Sequence, residues 1–412
     1  FLRAKTIYAW AARAGKFAMP KITDGERKDM RVNIKKKDLV QALDDIRRIV
    51  SRKGNYPILT HCLMEAHDGL VVTATNTDVS FRGVFPAEVQ KPGDFMISVH
   101  NLYAIVKVLS ASVLSISSEG QDVILEADGT KYQISVKPSE EYGLSPLISD
   151  ESTAEIGVQE LLGMIDKVIF SMSFPNSNVE GVRWDRVNRN GVYFLRLTST
   201  DSLRLSLTER AISGTEKLGF LEEGVIVSSQ NMIELQRFLK RSKDGTVRFG
   251  NAKSLDFDSE FMRFSVGRKE LGVKHNNGKF PSLQYLISQN YEYVFVFDRK
   301  RLIELMRIVK TFRRDYDVVQ FELGERSAKL LFCNPEGISM NETLKLTAVE
   351  RPSDTKDPII ARFRASLIFP FLTAMEGDGA ILKFNNLQKP VCWQGSDDEH
   401  SLWLTMSLDS NQ

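Results

Sequence analysis

The sequence contains few of the residues from which catalytic and metal sites are built. Of its 412 residues only three are cysteines and five are histidines, and none of these stands at metal-ligand spacing. The cysteines (Cys62, Cys333 and Cys392) are odd in number and far apart, which indicates reduced thiols of a cytoplasmic protein rather than a disulfide framework. No phosphate-binding glycine loop, nucleophile elbow or Cys-His signature occurs. We therefore expect no metal, no cofactor and no catalytic residue, and a binding scaffold is favoured over an enzyme.

Long hydrophobic runs and an excess of one charge are also missing. No apolar stretch approaches the length of a membrane span, so we expect a soluble protein without a membrane partner. Of the 55 Lys and Arg, seven lie in residues 1–29, as do three of the 53 Asp and Glu, which leaves 48 and 50 for residues 30–412. The body of the chain is therefore not a generally basic nucleic-acid binder, and any DNA-facing surface has to be a local patch.

Residues 1–29 form a basic extension ahead of Met30-Arg-Val-Asn-Ile, which looks like a more natural beginning than Phe1. Its first 13 residues contain no acid, which is compatible with an amphipathic targeting or surface-binding helix. The alternatives are a disordered tail or an upstream-extended gene start. The sequence favours a disordered N-terminal extension.

What the sequence does contain is a long internal repeat. Three units open with a strand and an amphipathic helix, at residues 31–43, 154–162 and 293–305, and a second helix is announced in each unit at residues 97–105, 227–235 and 363–371. A period of roughly 130 residues is too long for a solenoid and matches duplicated domains. We predict domains at 30–150, 151–284 and 285–412, of class α+β, each with two helices packed on antiparallel sheets.

The outward faces of the predicted helices are basic. Each helix places apolar residues on one side at helical spacing, and five of the six carry Lys or Arg on the other side. Such faces are often merely solvated, but repeated helices in a ring could contact DNA phosphates without reading bases. The candidate DNA-binding residues on these faces are Arg48, Arg52, Lys107, Lys167, Arg237, Lys240, Arg241, Arg307 and Arg314.

Four segments carry a resemblance to a known family. They are Tyr56-Pro-Ile-Leu-Thr-His-Cys-Leu63, Asn76-Thr-Asp78, Ser199-Thr-Asp-Ser-Leu-Arg-Leu205 and Gly278-Lys-Phe-Pro281. In order and spacing the chain resembles the bacterial sliding clamp, the beta subunit of DNA polymerase III, over about residues 30–408. The resemblance implies three tandem clamp domains that form half of a closed ring. The ring is a head-to-tail homodimer that encircles double-stranded DNA, with helices at the hole and sheets outside, and it confers processivity without catalysis.

The resemblance also implies the partners and their sites. A hydrophobic cleft between the second and third domains receives short linear peptides from the catalytic subunit of DNA polymerase III, the clamp loader and other proteins with a clamp-binding motif. The matching positions are Val179, Thr200, Ser202, Leu203, Arg204, Leu205, Pro281, Tyr285, Leu286, Leu402, Leu404, Thr405, Met406 and Leu408. Lys53 or Arg52 matches a basic DNA-contacting position. Tyr132 and Ile134 match one side of the dimer interface, and its other side falls near Lys310 and Thr311.

Two alternatives remain open at this point. A diverged, monomeric clamp paralogue could bind peptides without encircling DNA, which the polar Lys310 and Ser229 favour because the family has an apolar residue and a basic pair there. A multidomain hydrolase could use Asp78 or Asp201, although an Asp at these places more often ties its own turn.

Overall fold

A computed structural model describes most of the chain after the N-terminal extension. The described residues are 30–408 without 54–58, 120–121, 138, 143–146, 174–179, 243–244, 255–258, 279, 283–285, 287–289, 313–315 and 356–357. The expectation for the extension 1–29 and the candidate residues Val179, Tyr285 and Arg314 lie outside the described residues.

Helices occur twice in each of three successive repeats, which we name repeat one (residues 30–142), repeat two (147–276) and repeat three (293–405). The helices of the described residues are α1 (Lys36–Ile46), α2 (Val99–Val108), α3 (Val158–Val168), α4 (Ser229–Arg241), α5 (Arg299–Val309) and α6 (Ala365–Ala374). The side chain of Asp298 accepts a hydrogen bond from the amide of Arg301, so Asp298 is the N-cap of α5. Ser228 caps α4 in the same way.

Strands make up most of the remaining described structure. Repeat one contains β1 (Arg31–Lys35), β2 (His61–Ala66), β3 (Leu70–Thr75), β4 (Val79–Phe85), β5 (Ala87–Lys91), β6 (Gly93–Ser98), β7 (Val113–Glu119), β8 (Asp122–Ala127) and β9 (Thr130–Ser135). Repeat two contains β10 (Leu147–Gly157), β11 (Val182–Arg189), β12 (Val192–Thr200), β13 (Arg204–Ala211), β14 (Val225–Val227), β15 (Thr246–Ser254), β16 (Glu260–Val266) and β17 (Lys269–Asn276). Repeat three contains β18 (Tyr293–Asp298), β19 (Val318–Leu323), β20 (Ser327–Cys333), β21 (Ser339–Lys345), β22 (Ala348–Glu350), β23 (Ile359–Arg364), β24 (Gly379–Phe384), β25 (Val391–Gly395) and β26 (Ser401–Thr405).

Each repeat arranges its strands as two antiparallel groups with one common order. In the first group the opening strand is followed by the last three strands, giving β1-β7-β8-β9, β10-β15-β16-β17 and β18-β24-β25-β26. In the second group the orders are β6-β2-β3-β4, β14-β11-β12-β13 and β23-β19-β20-β21. The predicted class, α+β with two helices per unit on antiparallel sheets, is confirmed.

The repeats are joined edge to edge by strand pairing. At the first junction β4 of repeat one pairs with β17 of repeat two, with Val79 opposite Val273 and Phe81 opposite Leu271. At the second junction β13 of repeat two pairs with β26 of repeat three. The backbone hydrogen bonds therefore continue from one repeat into the next, because the edge strand of one repeat is completed by the last strand of the following one.

The hydrophobic core follows the same division. One continuous set of buried side chains fills repeats one and two, and a second fills repeat three. Phe170, which follows α3, packs against the core of repeat three, with its ring centroid 5.7 Å from that of Phe371. In the described part of the chain, no helix combines the length and the apolarity that crossing a bilayer requires.

Candidate functional site

The turn between β12 and β13 forms one wall of the predicted cleft. The Asp201 carboxylate accepts hydrogen bonds from the amides of Leu203 at 3.1 Å and Arg204 at 3.0 Å, which fixes the turn. Ser202 is held at a φ of +71°, and Leu203, the next residue of the turn, is 61 % exposed. Because the carboxylate is engaged by its own turn, this geometry supports a structural role for Asp201 rather than hydrolysis.

Arg204 connects this turn to repeat three. Its guanidinium forms an ion pair with the Asp201 carboxylate at 3.1 Å and donates to the carbonyls of Phe170 at 2.5 Å and Leu367 at 3.3 Å. The guanidinium carbon also lies 5.5 Å from the centre of the Phe170 ring. Arg204 is therefore a bridge between the second and third repeats at the edge of the cleft.

The last strand and the segment after it form the opposite wall. Thr405 donates a weak hydrogen bond to the Leu203 carbonyl at 3.4 Å, which ties β26 to the turn of repeat two. The amide of Leu408 donates to the carbonyl of Arg362 at 2.9 Å, so that residues 406–408 run beside β23. Met406 remains 43 % exposed.

Between the walls lies a small apolar cluster. Leu205, Leu207, Cys392 and Leu404 are buried, and Leu286 and Leu402 pack against them from the segment between repeats two and three and from β26. Thr200 and Thr405 are also buried, and Pro281 is exposed. The structure thus brings most of the predicted cleft residues together, with Leu203 and Met406 offering apolar surface and Leu205 and Leu404 lying beneath it.

The prediction that Lys167 faces outward on α3 is wrong. Lys167 is 6 % exposed, and its ammonium lies 2.6 Å from both Asp398 and Glu376 of repeat three. The apolar spacing correctly places Lys167 on the side of α3 that faces away from repeat two. Repeat three covers that side of the helix. The exposed charged residues of α3 are Glu160 and Asp166, so the described α3 has no basic residue to offer to DNA.

The other basic candidates divide into exposed and half-buried residues. The exposed ones are Arg48, Arg52, Lys53, Lys107, Lys240 and Arg307. Arg237 is half-buried and forms an ion pair with Glu234, and Arg241 is half-buried against Asp45 at 3.2 Å. The described helix α6 contains no charged residue.

In the described part of the chain, no group of three or more His, Cys, Asp and Glu side chains is placed to hold a metal ion.

Comparison with known proteins shows which proteins this chain is similar to. The protein-family model described as 'DNA polymerase III beta subunit, N-terminal domain' matches residues 30–146. The beta sliding clamp of Caulobacter vibrioides is 26 % identical over 276 residues, which cover 65 % of this chain and 71 % of that protein. The beta sliding clamp of Bacillus subtilis is 20 % identical over 398 residues, which cover 92 % of this chain and 99 % of that protein.

Solved structures give the same result for the fold. The sliding clamp of Bartonella birtlesii bound to griselimycin superposes with a TM-score of 0.80 at 22 % identity and covers 92 % of this chain and all of that one. The sliding clamp of Bacillus subtilis superposes with a TM-score of 0.80 at 20 % identity, covering 92 % of this chain and 99 % of that one. Residues 30–146 are thus similar to the N-terminal domain of the DNA polymerase III beta subunit, and the chain has the fold of the bacterial sliding clamps over most of its length.

The clamp resemblance named four dimer-interface residues, and the structure separates them. Tyr132 and Ile134 lie on the same side of the edge strand β9, and Ile134 is 9 % exposed and also packs in the core, so the assignment of both to the interface stays a prediction. Tyr132 is half-buried and keeps part of its surface. Lys310 is exposed with its ammonium 3.8 Å from the centre of the Phe369 ring, and Thr311 is exposed beside it.

Sequence patterns missed the charged residues at the junctions. Asp45 of α1 pairs with Lys269 of β17 at 2.7 Å across the first junction, and Asp398 and Glu376 pair with Lys167 across the second. No spacing along the chain indicates these pairs, because their members belong to different repeats. An isolated Asp45 or Lys167 on a helix looks like a solvated surface residue.

Proposed function

We propose that this chain is a sliding clamp, a non-catalytic processivity factor that closes into a homodimeric ring around duplex DNA in the cytoplasm. The ring tethers the replicative DNA polymerase, and the cleft between repeats two and three binds peptides of the polymerase, the clamp loader and other clamp-binding proteins. The observation that carries this proposal is the strand pairing that joins successive repeats.

Two strand edges remain for a third junction of the same kind. Within the described residues, β9 pairs only with β8, and β21 pairs only with β20. In the common strand order, β9 corresponds to β17 and β26, and β21 corresponds to β4 and β13. Both counterparts pair across junctions inside the chain. A second copy could therefore complete β21 with its β9, and two such junctions would close a ring of six repeats.

The internal junctions also supply the expected register. The turn that precedes β4 closes with a hydrogen bond from Asn76 N to Val79 O, and the turn before β21 closes with one from Asn334 N to Ile338 O. Ile338 thus corresponds to Val79, and Met340 corresponds to Phe81. Val79 and Phe81 face Val273 and Leu271, whose counterparts in β9 are Ile134 and Tyr132. We expect Ile338 opposite Ile134 and Met340 opposite Tyr132 of the second copy.

Exposed apolar side chains on these faces support the same assembly. Val108, the tenth residue of α2, is 77 % exposed, whereas Phe238, the tenth residue of α4, is 7 % exposed and packs on Phe81 across the first junction. Ile338 is 46 % exposed. A large apolar side chain left in water at these positions is stabilised when a partner covers it.

The proposed contact with DNA needs only unspecific attraction to phosphates. The exposed Arg48, Arg52 and Lys53 follow α1, Lys107 lies on α2, and Arg307 lies on α5. Scattered cations of this kind bind the DNA backbone without reading its sequence. A closed ring retains DNA by its topology, so these contacts can be weak.

Two measurements test the proposal. Sedimentation should give a species of twice the chain mass of 46.6 kDa. The protein, loaded on nicked circular DNA by a clamp loader, should remain bound in high salt and leave once the DNA is linearised. Equal loss from circular and linear DNA would contradict encirclement, and a species of single chain mass would favour a monomeric, peptide-binding paralogue.

A further inference from the structure

A buried ion cluster fastens repeat two to repeat three. The Lys167 ammonium lies 2.6 Å from a carboxylate oxygen of Asp398, 2.6 Å from one of Glu376 and 3.3 Å from the hydroxyl oxygen of Ser401. The side chains of Lys167 and Asp398 are 8 % and 2 % exposed, whereas that of Glu376 is 49 % exposed. An ammonium with three oxygen partners is well compensated for its loss of water.

The segment that begins with Lys167 holds both strands of the candidate cleft. The Lys167 carbonyl accepts a hydrogen bond from Trp403 Nε1 at 3.0 Å, which places β26. The Phe170 carbonyl accepts from Arg204, and the hydroxyl of Ser171 lies 2.6 Å from that of Ser206, which places β13. β13 carries Arg204 and Leu205, and β26 leads into Met406. The five residues 167–171 therefore set the position of one cleft wall against the other.

The same helix position makes an ion pair at the first junction, with the opposite sign. Asp45 is the tenth residue of α1, as Lys167 is the tenth residue of α3. Its carboxylate lies 2.7 Å from the Lys269 ammonium and 3.2 Å from the Arg241 guanidinium. Lys269 faces Gly83 in the β4–β17 pairing, as Ser401 faces Thr208 in the β13–β26 pairing. The tenth residue of the first helix thus makes a contact across a junction in repeat one and again in repeat two. Only the contact of Lys167 lies beside the cleft.

We infer that Lys167 is a positioning residue of the peptide cleft, which it keeps in its binding geometry by anchoring β26 to α3 through Asp398 and Ser401. The inference rests on the proposed function, since it assumes that the cleft binds peptides. Preorganisation of the two walls favours binding, because a peptide then does not spend binding free energy on ordering them.

Fluorescence anisotropy with a fluorescein-labelled peptide that carries the clamp-binding motif of the DNA polymerase III catalytic subunit tests this role on the full chain. Lys167→Met should weaken peptide binding about tenfold, equivalent to about 1.4 kcal/mol. Asp45→Asn breaks the matched contact at the first junction and should leave peptide affinity unchanged. In Lys167→Met the buried carboxylate of Asp398 is left unpaired, and the added change Asp398→Asn removes that charge. The double variant should therefore regain the melting temperature that Lys167→Met loses. Its peptide affinity should stay low.

The outcomes separate positioning from general stability. Peptide affinity that returns with the melting temperature in the double variant, or that falls equally in Asp45→Asn, overturns the positioning role. If the wild-type chain fails to bind the peptide, the cleft assignment and this inference both fail. DNA retention of the wild-type ring, measured in parallel, then shows whether the clamp function itself stands.

Discussion

Asn76 and Asp201 make the same hydrogen bonds in corresponding turns of repeats one and two. Each side-chain oxygen accepts from the amides two and three residues further along the chain. The residue after each is held in the left-handed region, Thr77 at a φ of +78° and Ser202 at +71°. In the structure, Asn76 therefore corresponds to Asp201. An alignment of the amino-acid sequences alone would instead match Asn76-Thr-Asp78 with Ser199-Thr-Asp201, and it would be wrong by two residues.

Replacing Ser202 by glycine should stabilise the protein. A side chain with a Cβ atom is strained at positive φ, so Ser202→Gly should raise the free energy of unfolding by about 1 kcal/mol. Urea unfolding followed by circular dichroism measures the change. Thr343→Gly, in the exposed and extended strand β21, is the matched control and should be destabilising. A loss of stability in Ser202→Gly would contradict the strain.

Met406 and Arg204 should differ in what their removal changes. Met406 is 43 % exposed, so Met406→Ala should weaken binding of a partner peptide and leave thermal stability unchanged. Arg204→Ala should lower both, because its hydrogen bonds to the carbonyls of Phe170 and Leu367 join two repeats. Calorimetric titration and thermal melts of the two variants check this. Unchanged peptide affinity in both would remove the cleft assignment.

A carboxylate at Ile338 should prevent dimer formation. At the proposed junction Ile338 faces a buried apolar residue of the second copy, and a buried, unpaired charge there is strongly unfavourable. Ile338→Asp should therefore sediment at the chain mass of 46.6 kDa. Val192→Asp is the control, since Val192 is similarly exposed, at 49 %, but lies on β12 away from β9 and β21. Dimers in both variants would exclude the β9–β21 junction.

Neutralising exposed cations should weaken DNA binding through its salt dependence. Arg48→Ala combined with Arg52→Ala should reduce the slope of log Kobs against log salt by about 2 if both contact phosphates. The measurement is filter binding over a series of salt concentrations. Lys167→Met should leave that slope unchanged, because the Lys167 ammonium is buried among carboxylates. If Lys167→Met reduced the slope by the same amount, Lys167 would have to be counted among the DNA-contacting residues.

The second junction should weaken in acid. The hydrogen bond and charge of Lys167, with the further charge of Arg210, lower the pKa of Glu376 from its ordinary value of 4.5. A lowered carboxyl pKa contributes stability that is fully present above pH 4.5 and is lost as the pH falls through the folded-state value. Glu376→Gln should therefore reduce the pH dependence of thermal stability below pH 4.5. An identical pH profile in the variant would show that Glu376 is not a source of this dependence.

Patterns within one repeat were sufficient for much of the fold. Apolar spacing predicted helices that the structure contains, because a helix packs first on its own sheet. Contacts between repeats were beyond such patterns. Lys167 looked solvated on its own helix and is buried by repeat three.

The candidate cleft was also predictable from the sequence only in part. The exposed Leu203 and Met406 are both among the positions that the family resemblance implies for the cleft. The contact of Arg204 with Leu367 could not be predicted, because it depends on how two repeats dock. A side chain in contact with a distant part of the chain leaves no periodic signal in its own neighbourhood.

The opposite signs of the Asp45 and Lys167 contacts make the repeats non-interchangeable. If repeat three followed repeat one directly, Asp45 would meet Asp398, and if a second copy of repeat two followed repeat two, Lys167 would meet Lys269. Either order would place two like charges in contact at a largely buried place, which is unfavourable. The three repeats share one fold, but their junction charges fit only the order that this chain has.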